Sequence, residues 1–275
     1  MRFRLSLWDA AFAAFLLATP AEADALSDIK AKGEFVVGME VAYKPFEYFD
    51  NGQTVGFDID VANEIAGAMG VKLKTVDTQW AGILPALLTK KFDVILSGMT
   101  ITNERMKKVN FSSPVAVGTM AFLVREHDHS LNVPEDTDGK IVATQLGSIG
   151  DKIAKAYEEK LKASGKSGYK EYKLYDAFPE AYVDLNNGRI DAVVGALPVL
   201  QALTVEQPGK YRIVEGVQDV EAYLAMAIRK EDEALLAFVN QELKKMKESG
   251  RFAEIQKKWF GTTQTIPDAI PEVLP

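Results

Sequence analysis

From Phe35 onward the chain switches between two hydrophobic periods. Short apolar runs, Phe35-Val36-Val37-Gly38-Met39, Val71 to Val76 and Phe92 to Leu96, have the length and composition of buried strands. Between the first two, Val61, Ala62, Ile65 and Met69 recur at spacings of three and four, which predicts a helix with Asp58 as N-cap and Gly70 as its stop. Ile83 to Leu88 reads as a second helix, with Pro85 in its first turn where a missing N–H is tolerated. Strands alternating with amphipathic helices predict an α/β fold on largely parallel sheets.

The second half repeats the first in outline. Leu87 to Val94 (LLTKKFDV) is echoed by Leu185 to Ala192 (LNNGRIDA), each a helix end running through a turn into a strand, which suggests two similar lobes. Two long β-prone stretches, Val115 to Arg125 and Ala222 to Arg229, suit paired strands crossing between such lobes. Leu235, Leu236, Phe238, Val239, Leu243 and Met246 form the apolar side of a long helix near the end. A shorter helix ending at Trp259-Phe260-Gly261 follows, and the proline-bearing tail, 262–275, is expected to be irregular.

Residues 1–25 differ from the rest. Arg2 and Arg4 precede an apolar run from Ala10 to Ala18 and an A-x-A signature at Ala21-Glu22-Ala23, with a second cut available at Ala23-Asp24-Ala25. That is the pattern of a cleavable secretory signal peptide, and the run is too short for the roughly 20 apolar residues of a membrane span. The expected location is therefore the periplasm. With no cysteine among 275 residues, an exported chain must be held by core burial alone, and thiol chemistry and zinc-thiolate sites are excluded. A formal charge of −7 repels nucleic acid and anionic lipid, and favours a small ligand or soluble partner. The histidines sit together in Glu126-His127-Asp128-His129, but neighbouring residues of one loop rarely converge on a single ion, so no metal is expected.

Several strings then accumulate in order: Gly38-Met39-Glu40-Val41-Ala42-Tyr43-Lys44-Pro45-Phe46-Glu47, Val55-Gly56-Phe57-Asp58-Ile59-Asp60, Phe92 to Met99, and Thr100-Ile101-Thr102-Asn103-Glu104-Arg105. With Gly139 to Gly150, Asn187-Gly188-Arg189-Ile190-Asp191 and Lys257-Lys258-Trp259-Phe260-Gly261, the chain resembles the periplasmic polar amino acid-binding proteins of ABC importers, the family 3 extracellular solute-binding proteins. The resemblance implies a two-lobed type II periplasmic binding protein fold, each lobe a mostly parallel sheet flanked by helices, with two crossing strands as hinge. It places residues 26–122 and 222–261 in a discontinuous first lobe and 123–221 in the second, with ligand held between them by hinge closure.

The same resemblance implies the site. Arg105 would hold a ligand carboxylate, since a guanidinium offers a rigid fork of donors that keeps its charge. Ser97, Gly98 and Thr100 lie at the C-terminal end of a predicted strand, where ligands dock in open α/β sheets. Tyr43 and Trp80 would sandwich the ligand's side chain, and Glu40 would read a cationic group. In the second lobe Gln145-Leu146-Gly147-Ser148-Ile149-Gly150 precedes a helix whose first-turn N–H groups can cradle the same carboxylate, with Gln145, Ser148 and Ile149 at the ligand. Ile149 stands where relatives usually carry a second hydroxyl. Ala196 stands where they carry the aspartate that pairs with an α-ammonium. Either Glu40 takes over that pairing or the ligand lacks a primary α-amine, because a buried ammonium without a partner costs several kcal/mol.

The reading is a non-catalytic importer receptor for a small zwitterion, an amino acid or close analogue. It needs no cofactor or catalytic residue, works as a monomer and hands its ligand to a membrane ABC permease. Two alternatives stay open: an exported dehydratase-type enzyme on the same scaffold with Glu40 as its acid, and the ligand-sensing domain of a signalling protein.

Overall fold

The structure is a computed structural model that describes residues 24–218, 221–271 and 273. The expected apolar run and cleavage signature fall outside the described residues. Helix α1 (Ala25–Lys32) opens on Asp24, whose carboxylate accepts the Leu26 N–H at 3.2 Å, and Gly33 closes it. Then come β1 (Glu34–Met39), a hairpin of β2 (Tyr48–Asp50) and β3 (Gln53–Val55), α2 (Phe57–Met69), β4 (Lys72–Asp77) and α3 (Trp80–Leu88). After them β5 (Val94–Ile95), α4 (Asn103–Met106) and β6 (Val109–Phe111) complete the first run of elements.

The second run starts at β7 (Ala116–Val117) and β8 (Met120–Arg125), followed by a 3-10 turn at Pro134–Thr137. It continues through β9 (Ile141–Gln145), α5 (Ile149–Ala163), β10 (Glu171–Tyr175), α6 (Phe178–Asn186), β11 (Ala192–Ala196), α7 (Leu197–Glu206) and β12 (Tyr211–Val214). The chain then returns through β13 (Tyr223–Leu224) and β14 (Ala227–Arg229) before α8 (Glu233–Glu248) and α9 (Arg251–Phe260).

Two five-stranded sheets result, ordered β4-β1-β5-β14-β6 and β10-β9-β11-β8-β12. In each sheet four strands run in one direction and only the fourth in order, β14 or β8, is antiparallel to its two neighbours. In each sheet the antiparallel fourth strand arrives from the far side of the β7–β13 pair, so the two sheets exchange strands through that crossing. The fold is the α/β arrangement that the alternating pattern predicts, mixed sheets flanked by helices, with no closed barrel among the described residues.

The sequence echo has a physical cause. Asp93 pairs with Val36 by donating its N–H to the Val36 carbonyl and accepting the Val36 N–H on its carboxylate, both at 2.8 Å. Asp191 repeats this with Ile141, at 2.8 and 2.9 Å. One carboxylate in each half thus pins the middle strand to the start of its parallel neighbour. It satisfies an N–H that the short ladder leaves open.

Three expectations are corrected. Gly56, not Asp58, caps α2; the Asp58 side chain turns inward and accepts the Gly98 N–H at 3.0 Å. Gly56 is required there because at φ 142° an added Cβ would lie 2.0 Å from the Phe46 carbonyl oxygen. Helix α3 starts at Trp80, which puts Pro85 in its interior, where the Ala81 carbonyl loses its helical partner. Finally, Met120, Ala121 and Phe122 pair with Ala196, Gly195 and Val194 of the second sheet, so the crossing lies before Met120 rather than at residue 122.

Buried side chains fill the space under both sheets, with Val37, Met39 and Val94 packed in one cluster with Val61 and Ile65 of α2 and Leu235, Val239 and Leu243 of α8. Among the described residues no helix is long and apolar enough to cross a membrane.

Candidate functional site

The C-terminal ends of β1, β4 and β5 face those of β9, β10 and β11 across a cleft of about 370 Å³. Glu40, Tyr43, Trp80, Ser97, Gly98, Thr100, Arg105, Gln145, Ser148 and Ile149 all line it, together with Met120, Gly150 and Phe178. Among these lining residues Arg105 is the one cation and Glu40 the one carboxylate. Ala196, buried at the end of β11, stands at the N-cap of α7 and is not among them.

Arg105 is held on three sides. Its backbone N–H is capped by the Thr102 hydroxyl at 3.1 Å, which fixes the short helix α4. Its guanidinium donates to the Thr100 carbonyl at 2.9 Å and sits 5.4 Å from the Trp80 ring centroid. A longer bond of 3.4 Å reaches the Gly147 carbonyl of the other half. Burial pushes the guanidinium down to about 10, so it stays charged at neutral pH. Glu104, beside it in sequence, pairs instead with Lys152 across the cleft.

Glu40 stands where β1 ends. Its carboxylate accepts the Trp80 N–H at 3.2 Å and the Gln145 side-chain N–H at 2.7 Å. Burial raises its pKa against these two bonds, which lower it. The two halves meet here through equivalent places. The register that matches Val36 with Ile141, each beside its clamping aspartate, matches Glu40 with Gln145. The spacing that aligns Leu87 with Leu185 likewise aligns Trp80 with Phe178, each the first residue of its helix. Phe178 escaped the sequence reading, although extending the echo a few residues back would have found it. Its ring stacks on Tyr43 at 5.7 Å, from the opposite half.

In the second half Ser148 is the N-cap of α5, its hydroxyl accepting the Asp151 N–H at 3.3 Å and donating to the Gln145 carbonyl at 2.8 Å. Ile149 and Gly150 occupy the first turn, whose N–H groups have no carbonyl four residues earlier to reach. That helix end and Arg105 offer positive potential to the same cleft. The arrangement can receive an anionic group between Arg105 and α5, a cationic group at Glu40, and a flat or apolar body between Tyr43, Trp80 and Phe178. Trp80 also closes the cleft by donating its ring N–H to the Gly147 carbonyl at 3.1 Å.

A layer beneath the cleft was also missed. The Glu40 N–H donates to the Ser97 hydroxyl at 3.0 Å, and that hydroxyl donates to the buried Glu47 carboxyl at 2.5 Å. Glu47 in turn contacts Asp58, which holds the Gly98 N–H. The strings that carry Glu47 and Asp58 were visible, but nothing local in the sequence says that two acids so placed meet in the core.

Comparisons with known proteins identify the family and the fold. A family profile described as bacterial extracellular solute-binding proteins, family 3, matches residues 35–262. An L-cystine-binding protein of Escherichia coli K12 is 32% identical over 243 residues, covering 87% of each chain. An L-arginine-binding protein of Pseudomonas aeruginosa is 34% identical, covering 82% of this chain and 86% of its own. Among solved structures, an ancestral amino acid-binding protein described as a precursor of cyclohexadienyl dehydratase superposes with a TM-score of 0.77 at 38% identity, covering 86% of this chain and 100% of its own. A profile match over most of the chain, relatives of this identity and a shared type II binding-protein fold lead to one conclusion: the chain belongs to the family 3 bacterial extracellular solute-binding proteins.

Proposed function

We propose that the chain is the solute receptor of an ABC importer, capturing an amino acid or a closely related zwitterion by closing its two lobes on it and performing no chemistry. The observation that carries this is a cleft lined from both sheets by one cation, Arg105, and one carboxylate, Glu40, with the rings of Trp80, Tyr43 and Phe178. Arg105 and the α5 N-terminus hold the carboxylate, and Ser97, Gly98, Thr100 and Ser148 supply the surrounding polar contacts. The positive end faces Glu40. The lobes swing about the β7–β13 crossing, and the closed form, acting as a monomer, is what a membrane permease receives. The relatives' reported ligands, cystine and arginine, both carry a carboxylate and at least one cationic group, as this cleft requires. Export through a cleaved leader to the periplasm completes the reading.

The test is thermal unfolding of the purified chain against a panel of L-arginine, L-cystine, L-histidine, other polar amino acids, and zwitterions whose nitrogen is alkylated or ring-bound. A true ligand at 100 times its Kd stabilises the folded state by roughly 2.7 kcal/mol. A panel without a single shift overturns the reading.

One observation favours a second reading. A structural neighbour is described as the precursor of a dehydratase, and Glu40 is a carboxyl whose pKa burial raises, as a general acid needs. Mass spectrometry of each binding compound after incubation decides: loss of water from a compound that Glu40→Gln leaves intact would establish the enzyme.

A further inference from the structure

Glu47 and Asp58 are fully buried side by side below the Ser97–Gly98 turn. Ordinary donors satisfy two of their four carboxyl oxygens. The Ser97 hydroxyl reaches Glu47 Oε1 at 2.5 Å, and the Gly98 N–H reaches Asp58 Oδ2 at 3.0 Å. Among the described residues, Glu47 Oε2 and Asp58 Oδ1 have no donor other than each other. Two carboxylates facing one another in the core with no donor between them would be a costly arrangement, and one proton removes the conflict by making one oxygen a donor.

Among the described residues no cation faces the pair to serve instead. Just after β1 it meets Glu40, a like charge, and from the following loop the half-buried Tyr43. Ser97 and Gly98 meet it from the turn after β5 and are neutral. Aromatic rings of Phe46, Phe57 and Phe260 stack around α2 and α9. Lys44 is turned away to Glu206 at 3.2 Å, Lys258 is held by Asp60 at 2.7 Å, and Arg105 by Thr100.

We propose that Glu47 and Asp58 hold one proton between them at neutral pH, and that this proton positions the Ser97–Gly98 turn and so makes the shape of the cleft depend on pH. That the turn belongs to a ligand site rests on the binding reading above; the shared proton does not. Burial raises both groups, Asp58 to about 7, and the hydrogen bond between them raises Glu47 and lowers Asp58, which puts the shared proton on Glu47 as donor to Asp58. Because the folded state keeps protons that the unfolded chain has released, stability from this pair is greatest at acid pH. It falls as pH rises from the ordinary carboxyl range through about 7 for Asp58 and on through the release from Glu47. Once both are ionised, like-charge repulsion separates them and frees Gly98 from Asp58.

Glu47→Gln separates proton from shape. The amide donates to Asp58 and accepts from Ser97, as the protonated acid does, but cannot titrate. Infrared spectra of the ligand-free wild-type chain at pH 8 should contain a protonated-carboxyl C=O band that Glu47→Gln lacks and Asp58→Asn retains. Hydrogen exchange at the Gly98 amide, corrected for its intrinsic rate, should accelerate by up to about tenfold per pH unit as pH rises towards release in wild type, and stay flat in Glu47→Gln. Absence of the band in wild type, or the same pH dependence of Gly98 exchange in both proteins, overturns the proposal. Since both readouts use ligand-free protein, a failed ligand panel and a failed shared proton are told apart.

Discussion

Arg105 is where one side chain decides most. Besides the Thr100 carbonyl and a longer bond to the Gly147 carbonyl, its guanidinium lines the cleft beside Trp80, and neighbouring Glu104 is taken by Lys152. Arg105→Lys keeps the charge and loses the fork, so one charge-assisted hydrogen bond of about 1.5–3 kcal/mol should go, weakening the best ligand of the panel by about tenfold or more. Calorimetric titration measures this, and an affinity within about twofold of wild type would remove Arg105 from the carboxylate's side. Gly98 is a second single-residue constraint. At φ +52° an added Cβ would stand 2.6 Å from the Tyr43 ring. Gly98→Ala should therefore cost about 1–3 kcal/mol in urea unfolding and displace the ring that stacks on Phe178. Retained stability with unchanged tyrosine fluorescence would contradict it.

The two halves are built from equivalent strands, and the equivalence can be tested element by element. Asp93 and Asp191 do the same job at the starts of β5 and β11, and each also meets an arginine's field: Arg229 lies near Asp93, and Arg125 bonds Asp191 at 3.1 Å. Asp93→Ala and Asp191→Ala each leave a half-buried strand N–H without its acceptor, so both should destabilise by about 1 kcal/mol in chemical unfolding. A loss confined to one of them would break the proposed equivalence of the halves. The echo that first suggested two similar lobes was legible because these aspartates sit at a fixed distance from helix ends that the apolar period also marks. The end of β1 and the Ser148 cap were legible for the same reason, being local. Gly56 was not, because its role depends on the Phe46 carbonyl, which only the folded chain brings close. Met120 and the Glu47–Asp58 contact were hidden likewise, as each acquires its role from the other half or from across a core.

At the scale of the whole molecule the cleft is closed by contacts of unequal worth. Lys44 with Glu206, and Lys152 with Glu104, are surface ion pairs, with side chains 41% and 50%, and 51% and 54%, exposed. Such pairs contribute about 0–1 kcal/mol each and weaken further with salt. The Gln145–Glu40 bond is different, being 2.7 Å long, buried from both sides, and made to a charged acceptor that has left water. It joins equivalent strand ends, and it forms only when the halves are together. Closure of the ligand-free chain should then depend on Gln145 far more than on the surface lysines. In small-angle X-ray scattering, Gln145→Ala should raise the radius of gyration of the ligand-free chain, while Lys44→Ala and Lys152→Ala leave it close to wild type. If the lysine variants open the molecule as much as Gln145→Ala, closure is governed by the rim. If instead Gln145→Ala opens it and a ligand from the panel closes it again, the ligand's cationic group is supplying to Glu40 what the amide did, and the same carboxylate serves both the empty and the filled cleft.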